Sequence, residues 1–348
     1  MKYNTLILAA ILKDLQIIIG RNEKSVCNDT FIEKYENKFK NICDVDLLIS
    51  ILKNYELMDE GKVIKYNKYI HIIKKAHEHI HEKIHLGDEK FRGRLLDSIF
   101  SNIQLRRDLP ERSFYPMKEY SIKNIFPKKA NENLIRDEKN LINGFEKGFI
   151  EIVENMGEFN KFYDQLFCLI LKYMWCIPIN INDEVADISF YEHTKMNSAL
   201  IAALYRYHEN IKDFSLEKIN EDKEKYGVLV GDLSGIQKYI FATSNIGTGG
   251  IAKRLRARSF TLGIISELAS HKIINKFNLN STNIIMSSGG KFYILLPNIK
   301  GLDEEINTIQ KEFEEYLLKE YKGEISLNLA YEKISGNEMK NFGQVLST

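Results

Sequence analysis

Residues 283 to 297 read Asn283-Ile-Ile-Met-Ser-Ser-Gly-Gly-Lys-Phe-Tyr-Ile-Leu-Leu-Pro297, two β-rich runs separated by Gly289-Gly290. Glycine takes positive φ at little cost, and a two-residue loop with positive φ matches the twist of antiparallel strands, so the stretch predicts a hairpin. Upstream, Tyr226-Gly-Val-Leu-Val-Gly-Asp232 is a short apolar run ending in a carboxylate, the pattern of a buried strand. A helix is predicted between them from about Ile251 to Phe277, a second from about Leu302 to Tyr321, and a last strand from about Glu324 to Tyr331. The succession is βαββαβ.

That order predicts a ferredoxin-like sheet, the architecture shared by polymerase and cyclase palms. Palm enzymes join nucleotides between two cations held by carboxylates, one at the end of the first strand and others on the central hairpin. Asp232 fills the first position, but the turn Ser287-Ser288-Gly289-Gly290-Lys291 contains no Asp or Glu. This sheet is therefore expected not to catalyse nucleotidyl transfer alone. Gly289 and Gly290 let a backbone approach a ligand and Lys291 adds a positive charge beside them, although the glycines equally serve a tight turn.

The segment Gly247-Thr-Gly-Gly-Ile-Ala-Lys-Arg-Leu-Arg-Ala-Arg258 gathers cations where a long helix is predicted to begin. Free amides at a helix N-terminus favour anions, so phosphate binding and a solvated basic face are the two readings. It is not a Walker loop, because the Gly-Lys-Ser/Thr ending is absent.

Toward the N-terminus, apolar residues recur at helical spacing from Leu6 to about Asn102, as in Leu47, Leu48, Ile51 and Leu52. Residues 103 to 130 hold three of the five prolines and read as a connector. Helical periodicity returns over 133–215, with Phe162, Leu166, Leu169, Ile170, Tyr173 and Met174 on one face and an interruption near Pro178. The predicted class is α+β: an all-α domain over 1–105, a connector and helical spacer over 106–220, and the sheet domain over 221–348. Leu6 to Ile19 resembles a signal peptide only superficially; Lys13, Asp14 and Gln16 interrupt it, so it reads as a core helix.

His77, His81 and His85 recur at i, i+4 and i+8, with His79 and Glu82 nearby, and histidines at i and i+4 bind zinc on a helix. Lys74, Lys75 and Lys83 around them favour a solvated face, and no structural zinc is expected. The chain of 348 residues is 44% hydrophobic and 28% charged, the composition of a globular protein. A net charge of +1 gives no global attraction to nucleic acid or anionic membrane, so any such contact is local. Cys27, Cys43, Cys168 and Cys176 lack CxxC spacing and read as reduced thiols of a cytoplasmic protein.

Four motifs in order resemble the large subunit of Csm-type (type III-A) CRISPR effector complexes. They are Asp187-Ile-Ser-Phe-Tyr-Glu-His-Thr-Lys195, similar to a DISLYDHxK segment; Gly231-Asp-Leu-Ser-Gly-Ile-Gln237; Ala252-Lys-Arg-Leu-Arg-Ala-Arg-Ser-Phe260; and Gly289-Gly-Lys-Phe-Tyr-Ile-Leu-Leu-Pro-Asn298. The resemblance implies an N-terminal HD nuclease domain followed by the first of two palms. It further implies that the cyclase carboxylates belong to a GGDD motif on the second palm, absent here, so that half of a split or truncated subunit is expected. Asp232, Ser234 and Gly235 would line a weak ATP pocket, with magnesium accompanying the nucleotide, and Gly289, Gly290 and Lys291 would close it. Lys253, Arg256 and Arg258 would meet phosphate or RNA. Implied partners are the other Csm-type subunits, including the one that binds the crRNA 5′ end, with crRNA, target RNA and a chain supplying the GGDD palm.

Against the family's opening Leu-Leu-His-Asp-Ile-Gly-Lys, this sequence has Ile11-Leu-Lys-Asp-Leu-Gln-Ile17. Lys13 replaces the metal-binding histidine beside Asp14, and no His-His pair occurs before Tyr66. A catalytic relic without metal is expected. The alternatives are a purely structural scaffold of the complex and an active HD-type phosphohydrolase.

Overall fold

The computed structural model describes residues 1–20, 25–55, 67–80, 94–103, 111–129, 137–180, 183–241 and 250–340. They belong to two compact units, Met1–Ser198 and Ala199–Thr348.

The first unit begins with α1 (Lys2–Ile19), followed by α2 (Asp29–Lys34), α3 (Glu36–Phe39), α4 (Val45–Asn54) and α5 (Asn67–Ile80). A helix that is apolar all round can lie only in an interior. Accordingly, Leu6 to Leu12 and Leu15 are buried without a break, and α1 is the core helix that its sequence predicted. α4 starts where the Asp44 carboxylate accepts the Leu47 N–H at 3.1 Å, and it packs on α1, with Leu47, Leu48 and Ile51 buried. In the connector, two short strands, β1 (Ser113–Phe114) and β2 (Lys128–Lys129), pair antiparallel. Buried Asp97 ties this region together, accepting from Arg112 at 2.8 Å and from the Ala186 N–H at 2.9 Å. α6 (Glu138–Glu154) and α7 (Phe159–Met174) pack on each other, and α8 (Phe190–Ile211) contains the boundary between the units.

The second unit continues with α9 (Leu216–Asn220), β3 (Glu224–Ser234), α10 (Ile236–Phe241), α11 (Ile251–Lys276), β4 (Ile284–Ser288), β5 (Lys291–Pro297), α12 (Leu302–Tyr321), β6 (Ser326–Ser335) and α13 (Gly336–Met339). The sheet has the order β4-β5-β3-β6 with every neighbour antiparallel. The hairpin forms where Gly289 and Gly290 place it, with φ of 63° and 92°. Side chains alternate across β3: Leu229 and Leu233 are buried, whereas Val230, Asp232 and Ser234 are only partly so. Gly231 belongs to the buried set because the ring of Phe292 lies where its Cβ would be. The short helix α10 was not foreseen from the sequence. It follows Gly235, whose φ of 86° turns the chain and whose missing Cβ leaves room for the Glu324 carbonyl.

Among the described residues, no helix is long and apolar enough to cross a membrane.

Candidate functional site

Three helices of the first unit bring together Asp14 (α1), His77 (α5) and His193 (α8), whose ligand atoms all lie within 4.8 Å of one another. His77 Nε2 is 3.1 Å from Asp14 Oδ1, and His193 Nε2 is 3.8 Å from Asp14 Oδ2. Asn197, one turn after His193, donates from Nδ2 to Asp14 Oδ2 at 3.0 Å and lies 2.8 Å from His77 Nε2. The two imidazoles stack, with ring centres 5.6 Å apart. Asp14 is 1% exposed. Burial by itself pushes a carboxyl upward, but the charge and hydrogen bond of His77, with His193 and Asn197, hold Asp14 below the ordinary carboxylate value.

Lys13 is also buried, yet its ammonium lies over the ring of Tyr55, 5.0 Å from the centre. Of the histidines considered for a zinc helix, His77 faces Asp14 on another helix, while His81 and His85 lie outside the described residues, as do Glu82 and Lys83. His193 lies within the Asp187–Lys195 motif, whose sequence alone does not mark it as a ligand. The signal that could have found it is a histidine at the buried start of a helix beside small polar residues, Thr194, Asn197 and Ser198, all of them buried here. Asn197 Oδ1 has no hydrogen-bond partner among the described residues despite its burial. A buried polar atom left unsatisfied is costly, and such an atom in a ring of metal-ligating types fits a cation.

At the sheet, strand register sets Lys291 and Asn328 opposite Asp232 on either side. Lys291 Nζ lies 3.8 Å from Asp232 Oδ1, and Asn328 Nδ2 donates to Ser234 Oγ at 3.0 Å. Asp232, Ser234 and Lys291 thus gather on one partly open face. Gly235 and Gly290 have local steric reasons, since a Cβ on Gly290 would strike the Ile236 side chain. The cations at the start of α11 divide. Lys253 and Arg256 are exposed, whereas Arg258 donates to the Tyr239 carbonyl and stacks on the Tyr239 ring at 4.6 Å, tying α11 to α10. Gly247 to Gly249 lie outside the described residues.

Residues 225–347 match the family model of Csm1 subunit domain B. A deoxyribonuclease Cas10/Csm1 (subtype III-A) of Methanocaldococcus jannaschii is 29% identical over 97% of this chain and 46% of its own length. Its Streptococcus thermophilus counterpart is 34% identical over 47% of this chain and 22% of its own. The solved structure of Csm1 in T. onnurineus superposes with a TM-score of 0.71 at 21% identity, covering 97% of this chain and 46% of that one. A Csm1–Csm4 cassette in complex with AMPPNP gives 0.69 at 21%, covering 97% and 46%. The chain spans less than half the length of the curated relatives it matches. It is a homologue of the Cas10/Csm1 large subunit of type III-A CRISPR systems and carries that subunit's domain B.

Proposed function

We propose that the chain is the N-terminal half of the large subunit of an RNA-guided antiviral effector, and that its first unit holds a divalent cation for the cleavage of single-stranded DNA. The observation that carries this is the meeting of Asp14, His77 and His193 in a buried setting. The curated relatives are named single-strand-specific deoxyribonucleases, and the donor set suits that chemistry. Two imidazoles with one carboxylate select borderline cations such as Mn, Co, Ni or Zn. When bound, such a cation polarises a phosphoryl oxygen and acidifies a bound water. Asp14 brings the negative charge of the trio, His77 and His193 bring lone pairs, and Asn197 holds the carboxylate in place.

The proposal departs from the relic expected from Lys13. What supports the departure is that both imidazoles come from helices far from Lys13 along the chain. With Lys13 in place of a ligating histidine, one bound cation is the expected stoichiometry. Titration with Mn(II), Co(II) or Ni(II), paired with cleavage of a labelled single-stranded DNA, tests this. Saturable uptake of one cation and chelator-sensitive cleavage, both lost in Asp14→Ala, are expected. A wild-type chain that takes up no cation at millimolar concentration would overturn it.

A nucleotide-binding palm is the reading for the second unit, favoured by the grouping of Asp232, Ser234 and Lys291 on one sheet face. ATP, accompanied by magnesium, would bind there weakly, with a dissociation constant on the order of 0.1 to 1 mM, or roughly 4 to 5.5 kcal/mol. Lys253 and Arg256 are the cations available to phosphate or RNA. Conversion of ATP to oligoadenylate would wait for a second palm with the GGDD carboxylates. The partners are the other Csm-type subunits, crRNA and target RNA, in the cytoplasm. Ligand-observed NMR with several millimolar ATP tests the palm; no signal would leave a structural scaffold in its place.

A further inference from the structure

His77 has two ring nitrogens, and a cation would use one. Nε2 points at Asp14 and Asn197, at 3.1 and 2.8 Å. Nδ1 lies 3.1 Å from the hydroxyl of Tyr55, the residue that ends α4. A neutral imidazole that offers its lone pair at Nε2 carries its proton on Nδ1, and that proton needs an acceptor. Outer groups of this kind fix the tautomer and the plane of a metal-ligating histidine. We propose that Tyr55 is a positioning residue of the cation site, accepting the Nδ1–H of His77 through its hydroxyl oxygen so that Nε2 faces Asp14. The inference rests on the cation reading above.

The ring of Tyr55 is itself held by the two helices that supply Asp14 and His77. From α1, the ammonium of Lys13 lies 5.0 Å from the ring centre, and from α5 that of Lys74 lies 5.2 Å from it. Ammonium groups within about 6 Å of an aromatic face are attracted by its quadrupole. Lys13 adjoins Asp14 in the chain, and Lys74 precedes His77 by three residues on the same helical face. Any rotation of α1 against α5 would therefore move the Tyr55 ring together with both ligands. Lys13, standing where the resembled family has a ligating histidine, is used here to seat the residue that orients another histidine.

Tyr55→Phe keeps the ring and its two ammonium contacts and removes only the oxygen, so it separates positioning from packing. The full chain is loaded with Co(II), and affinity and the visible absorption band are compared for wild type and variant. The expected result is a loss of affinity of about 10- to 100-fold with a shifted band, at an unchanged melting temperature of the cation-free protein. Equal affinity and an identical band would overturn the inference while leaving the cation site standing. Uptake of Co(II) by neither protein would sink both. A second measurement needs no variant: 15N shifts of His77 in the Zn(II)-loaded wild type are expected to show Nδ1 protonated and Nε2 bound. Coordination through Nδ1 would refute the assignment.

Discussion

Asp14 and Asp232 are the two carboxylates on which the candidate sites turn, and they differ in almost every physical respect. Asp14 is buried, and its hydrogen-bonding partners lie 63 and 183 residues away in the chain. The side chain of Asp232 is 48% exposed, and Lys291 reaches it from the neighbouring strand. A charge withdrawn from water costs several kcal/mol unless partners compensate it, so Asp14 is tolerable only inside the set of groups that face it. An exposed pair such as Asp232–Lys291 contributes roughly 0 to 1 kcal/mol, and either partner is free to turn to a ligand. The first carboxylate is fixed by its neighbours, whereas the second is held only loosely.

The sharpest way to break that contrast is Asp14→Ala. Removing this anionic ligand is expected to lower Co(II) affinity by more than the roughly 100-fold limit of an outer-shell loss, measured by competition with a chelator. Asp232→Ala should leave Co(II) binding untouched; equal losses from both would erase the distinction. Next in size is Gly235→Ala, which sharpens the account of how the second site is framed. Its φ of 86° and the nearby Glu324 carbonyl exclude a Cβ. The left-handed conformation alone costs a side chain about 1 to 3 kcal/mol, so thermal unfolding of the second unit should shift down by a corresponding amount.

Lys291→Ala should weaken ATP binding by about tenfold, as befits one charge-assisted contact, while changing stability by less than about 1 kcal/mol. A stability loss larger than the binding loss would recast Lys291 as structural.

The smallest effect expected is a pH slope. His208 is buried, its Nδ1 lies 2.7 Å from the Asp213 carbonyl, and its Nε2 is buried with no hydrogen-bond partner among the described residues. Burial, aided by the charge of Lys225, holds its pKa below 6.5. The unfolded chain therefore takes up this proton first as pH falls. Its contribution is fully present above the unfolded pKa of about 6.5 and is lost as pH drops from there toward the folded pKa. Melting curves of wild type and His208→Gln between pH 7.5 and about 5 should converge toward the acid end. Parallel curves would exclude His208 as a source of the slope.

Much of the second unit could be read without a structure, because its determinants are local. Gly289-Gly290 dictates a hairpin through backbone sterics, the short apolar run Tyr226–Asp232 reads as a buried strand, and helical periodicity places α11 and α12 where they are found. The short helix α10 escaped because six residues are too few to show a period. The fate of Arg258 escaped because a cation at a helix start looks the same whether it meets water or a Tyr239 carbonyl.

For the first unit, the sequence by itself determined that α1 is interior and that Lys13 and Asp14 interrupt it, since apolar spacing reports burial directly. It also supplied His77 and His193 as single residues on separate helices. Only the tertiary structure decided that they meet at Asp14, and that Lys13 turns to Tyr55. Periodicity reports which face of a helix is buried and carries no information about which helix will face it. That choice is made by the packing of the whole core.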